Sequence, residues 1–227
     1  MEEKYQKIKR IAEEYLKKCD AGHDINHTLR VYDLCLKLTQ GLKGINLEII
    51  QLAALLHDIG GFKELRDKTG KVCHARESAK MAQKILKNFK YSKEKIDKVI
   101  YCILAHRHRT GVKPETKEAK ILFDADKLDV LGAIGVARAY IWIGKNNAKI
   151  YSNMPLKWYI RKNIVGGKLN GRIKDKSKHN PFFEFELKLK RLPKELHTLK
   201  AKKIAKERLS YMTLFFDRLK KEVAGKI

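Results

Sequence analysis

The sequence predicts an all-α protein. Helical periodicity dominates its 227 residues, only four of which are proline. Apolar residues make up 44% of the chain, which is enough to build a sizeable core. One segment, FFEFELKLK at 182–190, alternates like a β-strand, but no second strand is available to pair with it. We therefore expect it to be a helix or an extended loop.

The first three helices are predicted from the spacing of their apolar residues. One runs from about Asp24 to Thr39 and turns a stripe that includes His27 inward. The next, from about Leu47 to His57, is apolar on nearly all sides and is therefore expected to be buried. A third covers about Ala75 to Phe89, where apolar residues again recur at helical spacing.

Three further helices complete the prediction. Ser92 is the expected N-cap of the fourth helix, on which His106 lies in line with inward apolar residues. The fifth covers about Asp124 to Gly144 and stacks Asp126 on the same side as Ala133, Ala137 and other small or apolar residues. The sixth, from about Leu199 to Val223, has the most regular apolar stripe.

We expect one domain made of three segments. Residues 1–144 form a helical core, residues 145–198 a basic insertion, and residues 199–227 a C-terminal helix that packs back on the core. Residues 145–180 show little periodicity and are rich in Lys, Gly and Asn, which predicts a loop or insertion there.

The charge of the chain is high and unevenly distributed. The net charge is +25, and residues 145–178 alone contain ten Lys or Arg side chains with Asp175 as the only acid. Tyr151, Trp158 and Tyr159 are interleaved with these cations, a composition that could bind the phosphates of a nucleic acid. Two other interpretations stay open: a solvated surface, or a flap that holds a substrate phosphate.

Composition also excludes several classes of protein. The longest apolar runs, IIQLAALL and VLGAIGVA, are far shorter than the ~20 residues of a membrane span, and no signal peptide is visible. We therefore expect a soluble, cytoplasmic protein. No two of the four cysteines form a CxxC pair, so we expect them to be buried as small apolar residues.

Three predicted helices each direct metal-binding side chains toward the core. His27 lies on the first, His57 and Asp58 close the second, and Asp126 begins the fifth. A buried carboxylate needs a partner charge, hydrogen-bond donors or a metal ion. Two imidazoles and two carboxylates suit an octahedral divalent ion, such as Mn, Fe, Co, Ni or Mg, better than a closed structural zinc site.

These motifs resemble the HD-domain superfamily of metal-dependent phosphohydrolases, which have an all-helical core. The likeness extends through GHDINHTLRVYDL (22–34), LAALLHDIG (52–60), VCHARESAKMAQKIL (72–86), DADKLDVLGAIGVARAY (124–140) and the C-terminal helix. It implies that His74 and His106 hold a second ion or contact the substrate phosphate. It also suggests that Lys127 neutralises phosphate, and Arg30, one turn after His27, could reach the same cleft. The pair His23-Asp24 is expected to cap the first helix.

The resemblance and the residues together predict a phosphohydrolase acting on a nucleotide or another small phosphate ester. Asp58 is our choice as proton acceptor for the attacking water, although a role as metal ligand alone is equally compatible with its position. Two alternatives remain open. One is a di-iron enzyme that oxidises its substrate with oxygen, which would need His74 and His106 as ligands. The other is a nucleic-acid-binding HD protein that uses residues 145–178.

Overall fold

The computed structural model of the protein describes residues 2–19, 23–167, 169 and 172–227. They divide into two compact units, Met1–Leu128 with Leu196–Ala201, and Asp129–Glu195 with Lys202–Ile227. Within the described residues every regular element is a helix, apart from an isolated β-bridge between Ile164 and Ile173. The predicted all-α class is confirmed. The division into segments at 144 and 198 stays a prediction.

Seven α-helices lie within the described residues of the first unit, before residue 129. They are α1 (Glu2–Leu16), α2 (Ile25–Thr39), α3 (Leu47–Leu56), α4 (Gly61–Arg66), α5 (His74–Asn88), α6 (Lys93–Ala105) and α7 (Lys117–Leu128). Helix α3 is central: it packs against α2, α6 and α7, and residues 52–61 at its C-terminal end are all buried. The apolar character of α3 on all sides is explained by this position.

Side-chain caps explain where three helices of this unit begin. The side chain of Asp24 accepts a hydrogen bond from the backbone N of His27, and Asn46 does the same for Ile49. Ser92 caps α6 as the sequence predicts, accepting from Lys95 N. A cap of this kind satisfies a backbone N–H that has no partner inside the helix. The predicted starts of α2, α3, α5 and α6 agree with the structure to within one residue, although Cys73 before α5 makes no side-chain cap.

The predicted fifth helix is wrong as a continuous element. Helix α7 ends at Leu128, and α8 (Gly132–Lys145) begins four residues later. Gly132 has a φ of +75°, a left-handed conformation that interrupts the helical path and that glycine adopts without strain. Ala133 and Ala137 are consequently exposed, instead of stacking on the side of Asp126.

The second unit is more helical than the sequence predicts. Besides α8 it contains α9 (Leu156–Asn163), α10 (Pro181–Leu187), α11 (Leu192–Glu195) and residues 202–223 of α12 (Leu199–Val223). The predicted loop at 145–180 therefore includes α9 and two 3-10 turns, Val165–Gly167 and Lys176–Lys178. Residues 168, 170 and 171 of that segment lie outside the described residues. The strand-like segment begins as α10.

An aromatic core explains why α9 and α10 form. Tyr159 and Phe183 stack with ring centroids 4.1 Å apart, among buried Ile164 and Leu187. The hydroxyl of Tyr159 lies 2.7 Å from Nδ1 of His179. Burial raises the pKa of Tyr159 to about 12. Tyr159 is thus a core residue, which corrects the interpretation that it is an aromatic of an exposed basic surface.

Two other predictions concern burial and membranes. Cys35 and Cys102 are buried as expected, whereas Cys19 and Cys73 are only half-buried. Among the helices of the described residues, none combines the length and apolar character that a membrane crossing requires.

Candidate metal centre

Six polar side chains of the first unit converge at the C-terminal end of α3. His57 and Asp58 directly follow that helix, and the others come from α2, α5, α7 and the residue after α6: His27, His74, Asp126 and His106. His27 and His57 are fully buried, and Asp58 and His106 are each only 2% exposed. The structure therefore brings together all four predicted metal ligands and both additional histidines.

The first group of ligand atoms contains the four residues predicted as one site. Nε2 of His27 lies 3.5 Å from Oδ2 of Asp58 and 3.5 Å from Oδ1 of Asp126. Nε2 of His57 lies 3.3 Å from Nε2 of His27 and 3.6 Å from Oδ2 of Asp58. Each of these separations is close to the roughly 3 Å between neighbouring ligands that lie 2.0–2.4 Å from one ion. Ligand atoms of His27, His57 and Asp126 all lie within 4.8 Å of one another, and Asp58 forms a similar group with His23 and His27.

A second group uses the other oxygen of the same carboxylate. Oδ1 of Asp58 lies 3.3 Å from Nε2 of His74 and 3.7 Å from Nε2 of His106. The two imidazole nitrogens are 3.2 Å apart. Asp58 therefore directs one oxygen toward each group, which is the geometry of a carboxylate that can bridge two ions.

Hydrogen bonds to backbone carbonyls determine which ring nitrogens face the centre. Nδ1 of His57 donates to the carbonyl of Ala54 at 2.8 Å, and Nδ1 of His106 donates to that of Ile103 at 2.5 Å. With the proton on Nδ1, each Nε2 presents a lone pair to the centre. A carbonyl partner of this kind is a common way to orient a metal-binding histidine.

The centre is therefore rich in acceptors and poor in donors. Oδ1 of Asp58 is buried and makes no hydrogen bond with any residue that the structure describes. Nε2 of His57 and Nε2 of His106 each direct a lone pair toward a carboxylate oxygen of Asp58 that is less than 4 Å away. These acceptors repel one another unless a cation binds between them. The donor set fits a divalent ion that prefers nitrogen and oxygen ligands.

Electrostatics keep these groups in the protonation states that metal binding needs. Burial raises the pKa of Asp58, but the neighbouring histidines outweigh burial and hold it well below its usual range. Burial lowers the pKa of His57, and burial together with His57 lowers that of His106 to about 3. Ionised carboxylates and neutral imidazoles are the forms that bind a metal.

The two predicted cations occupy different environments. Nζ of Lys127 donates to Oδ2 of Asp126 at 2.7 Å and to the carbonyl of His106 at 3.1 Å, so this lysine lies at the edge of the centre. Arg30 is half-buried on α2, one turn after His27, and its role stays a prediction.

Three residues near the centre were not predicted from the sequence. Nδ1 of His23, a residue expected only to help cap α2, lies 2.8 Å from Oδ2 of Asp58, while Asp24 alone forms the cap. Glu64, on the short helix α4, lies 2.9 Å from Nδ1 of His74 and forms a two-bond ion pair with Arg107. Nothing in helical periodicity points to these contacts, because they come from capping and connecting segments.

Comparison with known proteins identifies the family. The model of the HD domain matches residues 24–131. YpgQ of Bacillus subtilis (strain 168) is 30% identical over 209 residues, which is 90% of this chain and 86% of that protein. The chain belongs to the HD-domain superfamily. The resemblance stated from the sequence is thereby confirmed.

Solved structures of HD-domain proteins extend the match to nearly the whole chain. An HD-superfamily hydrolase from Bacillus thuringiensis is 26% identical, with a TM-score of 0.69 and 98% of both chains covered. Bacillus subtilis YpgQ, crystallised in complex with ADP, is 25% identical, with a TM-score of 0.68, 97% of this chain covered and 95% of the other. The HD fold and the buried His/Asp cluster support a metal-dependent hydrolase.

Proposed function

We propose that the protein is a divalent-metal-dependent phosphohydrolase that acts on a nucleotide or another small phosphate ester. The observation that carries the proposal is the convergence of two ligand groups on the buried carboxylate of Asp58. The ADP complex of YpgQ, a relative over most of the chain, supports a nucleotide as substrate.

The residues divide into two binding positions. His27, His57 and Asp126, together with the neighbouring Asp58, would hold one ion, and Asp58, His74 and His106 would hold a second or contact the substrate phosphate. Mixed imidazole and carboxylate ligands suit Mn, Fe, Co or Ni, and Mg less well because Mg prefers oxygen ligands and retains several waters.

A divalent ion bound here would lower the pKa of a water molecule and neutralise charge on the phosphoryl group. Asp58 is our candidate for the proton acceptor, because it is ionised, buried and already placed between both ligand groups. Lys127 would place a positive charge beside the phosphate. Without substrate, this lysine forms an ion pair with Asp126.

Metal-dependent hydrolysis tests the proposal. Purified protein should release phosphate or pyrophosphate from a panel of nucleotides and a small aryl phosphate. EDTA should abolish turnover, and Mn or Co should restore it better than Ca, whose larger coordination shell positions water less accurately. Full activity after exhaustive chelation would overturn the proposal.

The second ligand group also keeps the di-iron alternative open, because that reaction needs His74 and His106 as ligands. Oxygen distinguishes the two reactions. A hydrolase loaded with Mn works equally well without oxygen. A di-iron oxygenase consumes oxygen in proportion to substrate and is inactive with Mn.

A nucleic-acid surface is favoured by the outward face of α9. Lys157, Arg161 and Lys162 are exposed there and make no salt bridge with any described residue, and Trp158 between them is 44% exposed. The opposite face of α9, which carries Tyr159, is buried in the aromatic core. The apolar face of this helix is therefore not available to bind a membrane, which leaves the charged face as its binding surface.

Salt dependence separates nucleic-acid binding from a solvated surface. The triple change of these three cations to Ala should flatten the plot of log affinity for duplex DNA against log salt by roughly two to three units. The control is an equal loss of charge from α12, at Lys202, Lys203 and Lys206. Equal effects of both variants would mean that only the overall charge of the protein matters.

A further inference from the structure

We infer that Glu64 and Arg107 are positioning residues that hold His74 in the tautomer with a bare Nε2, and so keep the position formed by Asp58, His74 and His106 ready for a cation. This inference rests on the metal centre of the proposed function but not on the reaction catalysed there. A protein that bound two ions and hydrolysed no phosphate ester would leave it standing.

Glu64 contacts His74 at two points. Oε2 of Glu64 accepts a hydrogen bond from the backbone N of His74 at 2.8 Å, and the same oxygen lies 2.9 Å from Nδ1 of the ring. Glu64 thus fixes both the start of α5 and the orientation of the imidazole. A carboxylate behind a histidine is a recurring arrangement in metal sites, where it sets the ring tautomer and increases the basicity of the other nitrogen.

Arg107 fixes the carboxylate in turn. Its guanidinium binds Glu64 through two parallel hydrogen bonds, Nη1 to Oε2 at 2.5 Å and Nη2 to Oε1 at 2.8 Å. Both side chains are largely buried, at 18% and 26% exposed, so this pair is less screened by water than a surface ion pair. Because Arg107 directly follows His106, the pair connects the two histidine ligands of the second group.

Two tautomers of His74 are conceivable, because Nη1 of Arg107 also lies 2.9 Å from Nδ1. If Nδ1 accepted from Arg107, the proton would be on Nε2, where Nε2 of His106 lies 3.2 Å away and Oδ1 of Asp58 3.3 Å away. A bare Nδ1 would direct its lone pair at Oε2 of Glu64, only 2.9 Å away, whereas a proton on Nδ1 makes a shorter, charge-assisted hydrogen bond to that carboxylate. With the proton on Nδ1, Glu64 accepts it and Nε2 is free to bind a metal.

The arrangement has a consequence for a variant without the carboxylate. Once Glu64 is removed, the described residues offer Nδ1 no other acceptor, whereas Arg107 still offers a donor there. The proton is then better placed on Nε2, which can donate it to Nε2 of His106 or to Oδ1 of Asp58. Either hydrogen bond would occupy two of the three ligands of the second position.

Metal counting on the intact protein tests this inference without any substrate. Glu64→Ala is compared with wild type and with Glu48→Ala, a matched control in which the lost glutamate is likewise 26% exposed and pairs with a cation, Lys95, at 2.5 Å. Wild type and the control should bind two Mn or Co ions per chain. Glu64→Ala should bind the second about 10- to 100-fold more weakly, with the first unchanged.

The tautomer itself provides an independent measurement. In ¹⁵N-histidine NMR spectra of the metal-free protein, His74 should carry its proton on Nδ1 in wild type and on Nε2 in Glu64→Ala. Arg107→Met, which keeps the carboxylate but removes its clamp, should weaken the second ion in the same direction and serves if Glu64→Ala does not fold. A single ion in wild type, or equal affinity for both ions in wild type and the Glu64 and Arg107 variants, would overturn the inference.

Discussion

Replacing Asp58 with Asn should lower stability moderately without metal and more strongly with it. In the metal-free protein, acceptor atoms of Asp58, His57 and His106 face one another with few donors among them. The amide of Asn supplies an N–H group that these acceptors lack, but it also removes the charge that the neighbouring histidines stabilise, as the lowered pKa of Asp58 indicates. The variant should therefore be somewhat less stable than wild type before metal is added.

Losing the charge-assisted contact with His23 costs about 1.5–3 kcal/mol, and a new hydrogen bond returns about 1 kcal/mol. With metal the loss is larger. A free-ion concentration about 100 times Kd stabilises wild type by about 2.7 kcal/mol. For a chain of this size that corresponds to a rise in Tm of about 5–11 °C.

Thermal unfolding with and without Mn measures both effects. Asp124→Asn is the matched control, since Asp124 is also buried but accepts hydrogen bonds from the backbone of His197 and Thr198. That variant should lose about 1–3 kcal/mol whether or not metal is present and keep the metal-induced rise in Tm. An Asp58→Asn protein with an undiminished rise in Tm would refute the assignment of Asp58 as a ligand.

Two further predictions address other groups. Lys127→Met should raise KM for a phosphate ester more than it lowers kcat, because a cation beside the phosphate is lost; an unchanged KM would place this lysine outside substrate binding. Glu184 should contribute stability that depends on pH. Burial raises its pKa, but Lys188 and His179 outweigh burial and lower it from 4.5 to about 2. This contribution is present above about pH 4.5 and lost as the pH falls toward about 2, so Glu184→Gln should lose less stability than wild type on acidification to about pH 3. Parallel acid unfolding curves would contradict this.

The sequence was most informative where burial is costly. His27, His57, Asp58 and Asp126 interrupt stripes that are otherwise apolar, and a polar group on such a stripe needs a compensating partner. The cost of burying these groups is visible in the sequence alone. The structure places their ligand atoms close together.

Features that depend on local backbone geometry were less accessible. Helix α4 has only six residues, too few to show a period, so Glu64 had no predicted position. The break before α8 depends on a left-handed Gly132 inside a segment whose apolar spacing continues without interruption. In α9 the charged outer face hides an apolar inner face of only two turns, which made the helix resemble a loop.

The most direct test of the account is the position of the ion itself. Crystals grown with Mn and measured near its absorption edge should give an anomalous difference peak surrounded by Nε2 of His27, Nε2 of His57, Oδ2 of Asp58 and Oδ1 of Asp126. Each of the four atoms should lie about 2.0–2.4 Å from the peak. A crystal saturated with Mn that shows no peak among these four side chains, or a peak held by other residues, would contradict the central claim.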